Sequence, residues 1–260
     1  MTAVHTSIAD HIATVTLDRA PVNALDVPTI LEIRDAFLGL ENNRDVRVAI
    51  FTAAGDKAFS AGADLRSIGE PSEHDEVPAR YITDSGRMVR DAMWAITDCP
   101  VPVIGAINGA AIGGGLAFAA CCDVLIAADT ATFGATEINV GLLGASSHLT
   151  RLVGRYKARE MFFSGEMVPA SELHRLGAVR AVVPRAELMD EARRFAAVLA
   201  SKSPIAMRLA KESMNRVEDL PLQDAYRTEQ DYTARLRPFE DSQEARQAFR
   251  EKRLPDWKWR

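Results

Sequence analysis

The sequence predicts an α/β protein with a layered, largely parallel sheet and a helical C-terminal region. Three observations carry that prediction. Strand-like and helix-like runs alternate through the first 130 residues. Strand signals fade from about residue 184, where helical patterns take over. And 47% of the 260 residues are apolar, enough for one large domain, or one domain with an appendage, around a sizeable core.

The elements follow in chain order. Residues 12–18, Ile-Ala-Thr-Val-Thr-Leu-Asp, alternate as a half-buried strand does. Asp26 and Pro28 open a helix over 28–42, since proline is tolerated in a first turn whose N–H groups have no partner. Residues 46–52 read as a buried strand, and Ala-Ala-Gly-Asp-Lys after them as a turn. Residues 69–78 are polar, acidic and proline-bounded, the pattern of a mobile surface loop. A helix over 79–99 ends ahead of Pro100, and strands follow at 101–107 and 123–129. Helices are expected over 186–202, 204–217, 221–236 and 242–253. The division this suggests is a core over 1–195 and a helical region over 196–260.

Composition removes several function classes. There are 31 basic and 36 acidic residues, net −5, which gives no reason to expect a nucleic-acid partner. No run of eighteen uncharged apolar residues offers a membrane span, and the N-terminus lacks the pattern of a signal peptide. Cys99, Cys121 and Cys122 make an odd count, two of them adjacent, so a reducing cytoplasm and small buried thiols are expected. The five histidines have no metal-ligand spacing, and no metal is expected. Residues 246–260 carry six basic and two acidic side chains, which suits a solvated helix end or a local anion contact.

Gly113-Gly114-Gly115 lies between a strand and an apolar helical run. Glycine lets a backbone approach a ligand, and a helix start offers unpaired N–H groups and a partial positive charge. The spacing fits neither a dinucleotide fingerprint nor a phosphate-binding Gly-Lys-Ser/Thr loop. Close helix–strand packing explains the glycines equally well. A second small-residue turn, within Asp-Lys-Ala-Phe-Ser-Ala-Gly-Ala-Asp-Leu-Arg-Ser-Ile-Gly (56–69), also follows a strand. Two such turns can aim two backbone donors at one oxygen, which is how an oxyanion hole is made.

With these segments, Phe-Ser-Ala-Gly-Ala-Asp-Leu, the triple glycine and Thr-Phe-Gly-Ala-Thr-Glu (132–137), the chain resembles the crotonase superfamily, the enoyl-CoA hydratase/isomerase group. The similarity runs from about residue 12 to 255. It implies a spiral of ββα turns with a C-terminal helical region that builds homotrimers or dimers of trimers. It implies an acyl-CoA thioester substrate, with no cofactor beyond the CoA of that substrate. The thioester oxygen would sit between the N–H groups of Ala63 and Gly114. Pro21 and Val22 would lie near the adenine, with Ala63, Asp64 and Leu65 along the ligand. Arg66 matches a position that contacts the CoA phosphates in some relatives, and Lys252 lies in a tail that can reach a neighbouring subunit's CoA.

Hydratases of this family use two glutamates. Here Ala117 stands at the first position and Glu137 at the second, so the resemblance leaves one acid–base group, Glu137. Ala145 matches the position whose N–H orients the water. Ser146, Ser147 and His148, in a stretch usually rich in glycine, are candidates for the missing polar group; equally, they suit a helix cap. Gly-Ala-Ser-Ser-His fails the nucleophile-elbow pattern, so a serine hydrolase is a poor rival. Tyr81, Met88 and Trp94 are candidates for the acyl pocket and equally for the core. The expected activity is a single-glutamate enoyl-CoA hydratase (a hydro-lyase). The alternatives are a 3-enoyl to 2-enoyl isomerase, an aryl-hydroxyacyl-CoA lyase, or a degenerate acyl-CoA-binding paralogue.

Overall fold

The computed structural model describes residues 2–64, 78–84 and 86–260. The expected loop at 69–78 lies outside them except for Pro78. The chain opens with β1 (Val4–Ala9) and β2 (Ile12–Leu17), an antiparallel hairpin. Its two turn residues, Asp10 and His11, both have positive φ, the backbone twist that a two-residue hairpin turn requires. Then come α1 (Val27–Leu38), β3 (Val48–Ala53), β4 (Ala58–Ser60), α2 (Gly86–Thr97), β5 (Val103–Ile107) and β6 (Ala110–Ile112). They are followed by α3 (Gly114–Ala120), β7 (Val124–Ala128), β8 (Thr132–Gly134), α4 (Ser146–Val153) and α5 (Arg155–Ser164). The rest is β9 (Val168–Pro169), α6 (Ala170–Arg175), β10 (Ala181–Val183), α7 (Leu188–Ala200), α8 (Pro204–Val217), α9 (Leu222–Leu236) and α10 (Glu240–Glu251).

From β3 to β8, successive strands join different sheets. One sheet runs β1-β2-β3-β5-β7-β10, parallel from β2 onward; the other runs β4-β6-β8-β9, parallel except at β9. Each unit is thus a strand of the first sheet, a short strand of the second, and in two cases a helix: β3-β4-α2, then β5-β6-α3, with β7-β8 as the third pair. The corners between paired strands stack on one another. The buried Asn108 side chain donates from Nδ2 to Ala53 O at 2.8 Å and Gly55 O at 3.1 Å, fixing the β5–β6 corner onto the β3–β4 corner. The small turns at the ends of β4 and β6 therefore come out side by side.

The core lies on the first sheet. All residues of β3 and β5 are buried, and Phe37, Phe51 and Phe59 stack edge to face with centroids 5.4 and 5.1 Å apart. Helix α7 packs across β2, β3, β5 and β7. The expected helix over 79–99 is divided: a 3-10 turn at Ala79–Tyr81 precedes α2, which starts at Gly86. The Asp84 side chain accepts the Arg87 N–H at 3.2 Å, an N-terminal cap that sets where α2 begins. Helix α1 stops at Leu38, ahead of Gly39. No helix among the described residues is long and apolar enough to cross a membrane.

Candidate active site

The turn after β4 is clipped to the segment before α1. Leu25 N–H donates to Gly62 O at 2.8 Å, and Asp64 N–H donates to Leu25 O at 2.9 Å. This parallel bridge uses Gly62 O and Asp64 N–H but not the N–H of Ala63. The exposed Ala63 N–H has no acceptor among the described residues.

The turn after β6 is built differently. Gly113 has φ of +53° and donates its N–H to Gly134 O at 2.8 Å, while its carbonyl takes the first bond of α3 from Ala117 N at 3.0 Å. Gly114 is the first residue of α3, so its N–H is one of the orphan donors of a helix start. The two turns touch. A methyl group on Gly62, whose φ is +82°, would lie 3.2 Å from Gly114 N and 2.7 Å from Ile112 O. One on Gly114 would lie 3.8 Å from Ala63 N. Two unspent backbone donors are thus carried on adjoining turns.

Glu137 begins a 3-10 turn, Glu137–Val140, after β8. Its carboxylate lies between two glycines: a methyl on Gly113 would stand 2.6 Å from Oε1, and one on Gly144 2.8 Å from the same atom. The turn is held by Leu142 N–H donating to Glu137 O at 2.9 Å and by Asn139 Nδ2 donating to Gly165 O at 3.0 Å. Glu137 Oε2 is buried and has no hydrogen-bond partner among the described residues. A carboxylate oxygen removed from water without a donor calls for one. Here the residue beside it is Gly113, the neighbour of Gly114. The structure therefore brings Ala63, Gly114 and Glu137 together.

The other expected residues divide. Ala117 is buried in α3 and offers no ionisable group. Ala145 sits in the left-handed conformation, φ 57°, at the start of α4. Ser146 and Ser147 are exposed and His148 is half-buried, with its Nδ1 3.4 Å from Ser147 Oγ. Burial, and then Arg151, holds the His148 pKa below its usual value. No hydrogen bond or ion pair among the described residues links these three to Glu137.

Val22 O accepts Ala61 N–H at 3.0 Å, which lays Pro21 and Val22 beside the Ala63 turn. Asp64 is buried and ion-paired to Arg19 at 3.2 Å. Leu65 and Arg66 lie outside the described residues. Lys252 is exposed at the left-handed end of α10. The tail after it is anchored elsewhere, by Trp257 Nε1 donating to Ser201 O at 3.0 Å and by Arg208 stacked 5.1 Å from the Trp259 ring centre. None of its described contacts reaches the site of its own chain.

The pocket candidates take other places. Tyr81 is fully buried, its hydroxyl joined to Arg34 at 2.6 Å, to Arg80 and to Asp91. Met88 belongs to the core. Trp94 is 53% exposed and faces an outer groove shared with Arg34, Leu38 and Glu41, because its position on α2 turns toward α1. Sequence reasoning missed Arg19, Asn23 and Ser60, which sit beneath the Ala63 turn. Ser60 Oγ donates to Asn23 O at 2.7 Å and accepts Gly62 N–H at 3.2 Å. No group of three or more His, Cys, Asp or Glu side chains among the described residues could hold a metal ion.

The family model described as enoyl-CoA hydratase/isomerase matches residues 7–260. The chain belongs to that family. A relative from Rhodococcus jostii (strain RHA1), 37% identical over 250 residues, 96% of this chain and 95% of its own, is named (7aS)-7a-methyl-1,5-dioxo-2,3,5,6,7,7a-hexahydro-1H-indene-carboxyl-CoA hydrolase. Carnitinyl-CoA dehydratase of Salmonella enteritidis PT4 (strain P125109) is 34% identical over 265 residues, 99% of each chain. Among solved structures, an enoyl-CoA hydratase from Bacillus anthracis superposes with a TM-score of 0.91 at 32% identity, covering 99% of this chain and 100% of that one. The alternating two-sheet path is the crotonase fold, and this enoyl-CoA hydratase/isomerase family member brings the Gly113 and Ala63 turns against each other.

Proposed function

We propose that this family member is an acyl-CoA hydro-lyase of the enoyl-CoA hydratase type that works with one carboxylate. The observation that carries the reading is the buried, unpartnered Oε2 of Glu137 beside two adjoining turns with unspent amides. Glu137 takes a proton from a water whose oxygen attacks C3 of a 2-enoyl thioester. The C2–C3 electron pair moves to the thioester oxygen, which Ala63 and Gly114 N–H hold as an enolate. Collapse of the enolate draws a proton from Glu137 onto C2, giving the 3-hydroxyacyl thioester. Ala117 cannot share this work, so one carboxyl group both takes and returns the proton.

CoA is held along Pro21, Val22, Ala63, Asp64 and Leu65, with Arg66 toward its phosphates and Ala145 N–H toward the water. Lys252 serves a neighbouring subunit within a homotrimer or a dimer of trimers. A second reading, hydrolysis of a ring-bearing oxo-acyl-CoA, is favoured by the name of the Rhodococcus relative. The same water would then attack a carbonyl carbon.

Purified protein incubated with crotonyl-CoA tests the first reading. Loss of the 2-enoyl absorbance is the expected result, and Glu137→Gln should lower its rate about 10²-fold or more while sparing ester affinity. New 2-enoyl absorbance from a 3-enoyl-CoA would replace hydration by isomerisation. Ester binding without turnover of either would leave a binding protein. A near-normal rate in Glu137→Gln removes that residue from the mechanism.

A further inference from the structure

The direction of the Ala63 N–H is set by its peptide plane, and Leu25 fixes that plane from both sides through Gly62 O and Asp64 N. What fixes Leu25 is Arg19. Its Nη1 donates to Ala24 O at 3.0 Å, and its Nη2 pairs with Asp26 Oδ2 at 2.7 Å and Asp64 Oδ2 at 3.2 Å. One guanidinium therefore grips both chain neighbours of Leu25 and the residue after Ala63. Its fork ties the two strands of the bridge together across 45 residues of sequence. The hold is stiff at each end. Asp26 Oδ1 also caps α1 by accepting Thr29 N–H at 3.0 Å. Arg19 N–H donates to Asn23 Oδ1 at 2.8 Å, and Asn23 Nδ2 donates to Ala54 O and Ala58 O, both at 2.9 Å, at the corner that feeds β4. The side chains of Arg19, Asp26 and Asp64 are 26%, 22% and 9% exposed, so solvent screens these contacts only in part.

We propose that Arg19 is a positioning residue: through Ala24, Asp26 and Asp64 it holds Leu25, and through Leu25 it aims the Ala63 amide at the thioester oxygen. This rests on the oxyanion-hole reading above. Arginine suits the task because its planar fork meets three acceptors in fixed directions, which a lysine ammonium on a flexible stem does not. Removing the cation altogether would take away charge and fork together, so the informative change keeps the charge and loses the fork. Arg19→Lys does that.

The test separates binding from aim. 4-(Dimethylamino)cinnamoyl-CoA is a push–pull thioester whose absorption moves to longer wavelength as its carbonyl oxygen accepts stronger hydrogen bonds. Wild-type protein should bind it with a red shift. Arg19→Lys should bind it within about threefold of wild type yet lose much of the shift, and kcat should fall about 10- to 100-fold with KM little changed. Asp64→Asn, which keeps the shape of the acceptor and loses its charge, should show a smaller effect of the same kind. It also serves as the readout should Arg19→Lys fail to fold. If wild-type protein binds the probe with no shift, the oxyanion hole itself falls and the positioning role falls with it. If wild-type protein shifts the probe and the variants shift it equally, with kcat within twofold, the hole stands and the role of Arg19 is overturned.

Discussion

Gly113 serves three functions within one residue. Its N–H closes onto Gly134 O, its carbonyl starts α3, and its bare α-carbon leaves room for the Glu137 carboxylate. The backbone stands at φ +53°, ψ −115°, where a side chain is strained whatever the space around it. A methyl group there would lie 2.6 Å from Oε1 and 2.9 Å from the carboxyl carbon, so the turn and the carboxylate cannot both keep their places. Gly113→Ala should therefore cost about 1–3 kcal/mol of stability. It should also lower kcat about 10²-fold, because Glu137 and the Gly114 donor move apart. Thermal unfolding and steady-state kinetics on crotonyl-CoA read the two effects. A variant with normal kcat would separate Gly113 from the chemistry.

At the scale of elements, what could be read in the sequence depended on length and on local chemistry. Helix α1 was legible because Asp26 with Pro28 marks its start, and α8 because its apolar residues recur at helical spacing. Strands β2, β3, β5 and β7 each run five or six residues, long enough to show a pattern. The second sheet was not legible. Strands β4, β6 and β8 have three residues each and are defined by partners about 20 to 50 residues away. Strand β1 was missed because it is an edge strand whose one buried residue is Val4. Ala63, Gly114 and Glu137 came from the family resemblance, and the structure places them at one spot. Arg19 left no local signature, since its partners Asp26 and Asp64 are scattered along the chain.

Lys211 shows the same limit, and it predicts how the helical region is attached. In the structure it is buried, with Nζ donating to Ile96 O and Val101 O at 3.2 Å each and to Asp123 Oδ2 at 2.7 Å. Asp123 in turn accepts Val103 N–H at 2.6 Å, so α8 is pinned to the starts of β5 and β7. Lys211→Met removes the buried member of a pair whose carboxylate is partly exposed and leaves Ile96 O and Val101 O without their donor, and should cost about 1–3 kcal/mol in denaturant unfolding. Asp123→Asn added to it, which removes the charge and keeps an acceptor for Val103 N–H, should restore part of the loss. No recovery in the double variant would show that packing around the lysine stem, not the ion pair, holds α8.

At the scale of the whole molecule, one chain exposes several large apolar side chains. Leu143, Tyr156, Phe163, Leu222, Phe249 and Leu254 are each more than 70% exposed, and they lie around α4 and α5 and along α9 and α10. Large apolar side chains gathered this way mark surfaces that are covered by something. On the trimeric reading proposed above, a second and third copy cover them and the exposed Lys252 reaches a neighbour's CoA. Light scattering should then give three times 28.4 kDa, or six times it. Tyr156→Asp with Phe163→Asp should shift the mass toward a single chain and raise KM for the CoA ester more than it lowers kcat, since the reacting groups proposed above, Ala63, Gly114 and Glu137, all belong to one chain. Lys252→Ala in the intact assembly should reproduce the KM effect alone. A wild-type protein that runs as a monomer at micromolar concentration with full activity would reject both the assembly and the role of Lys252 within it.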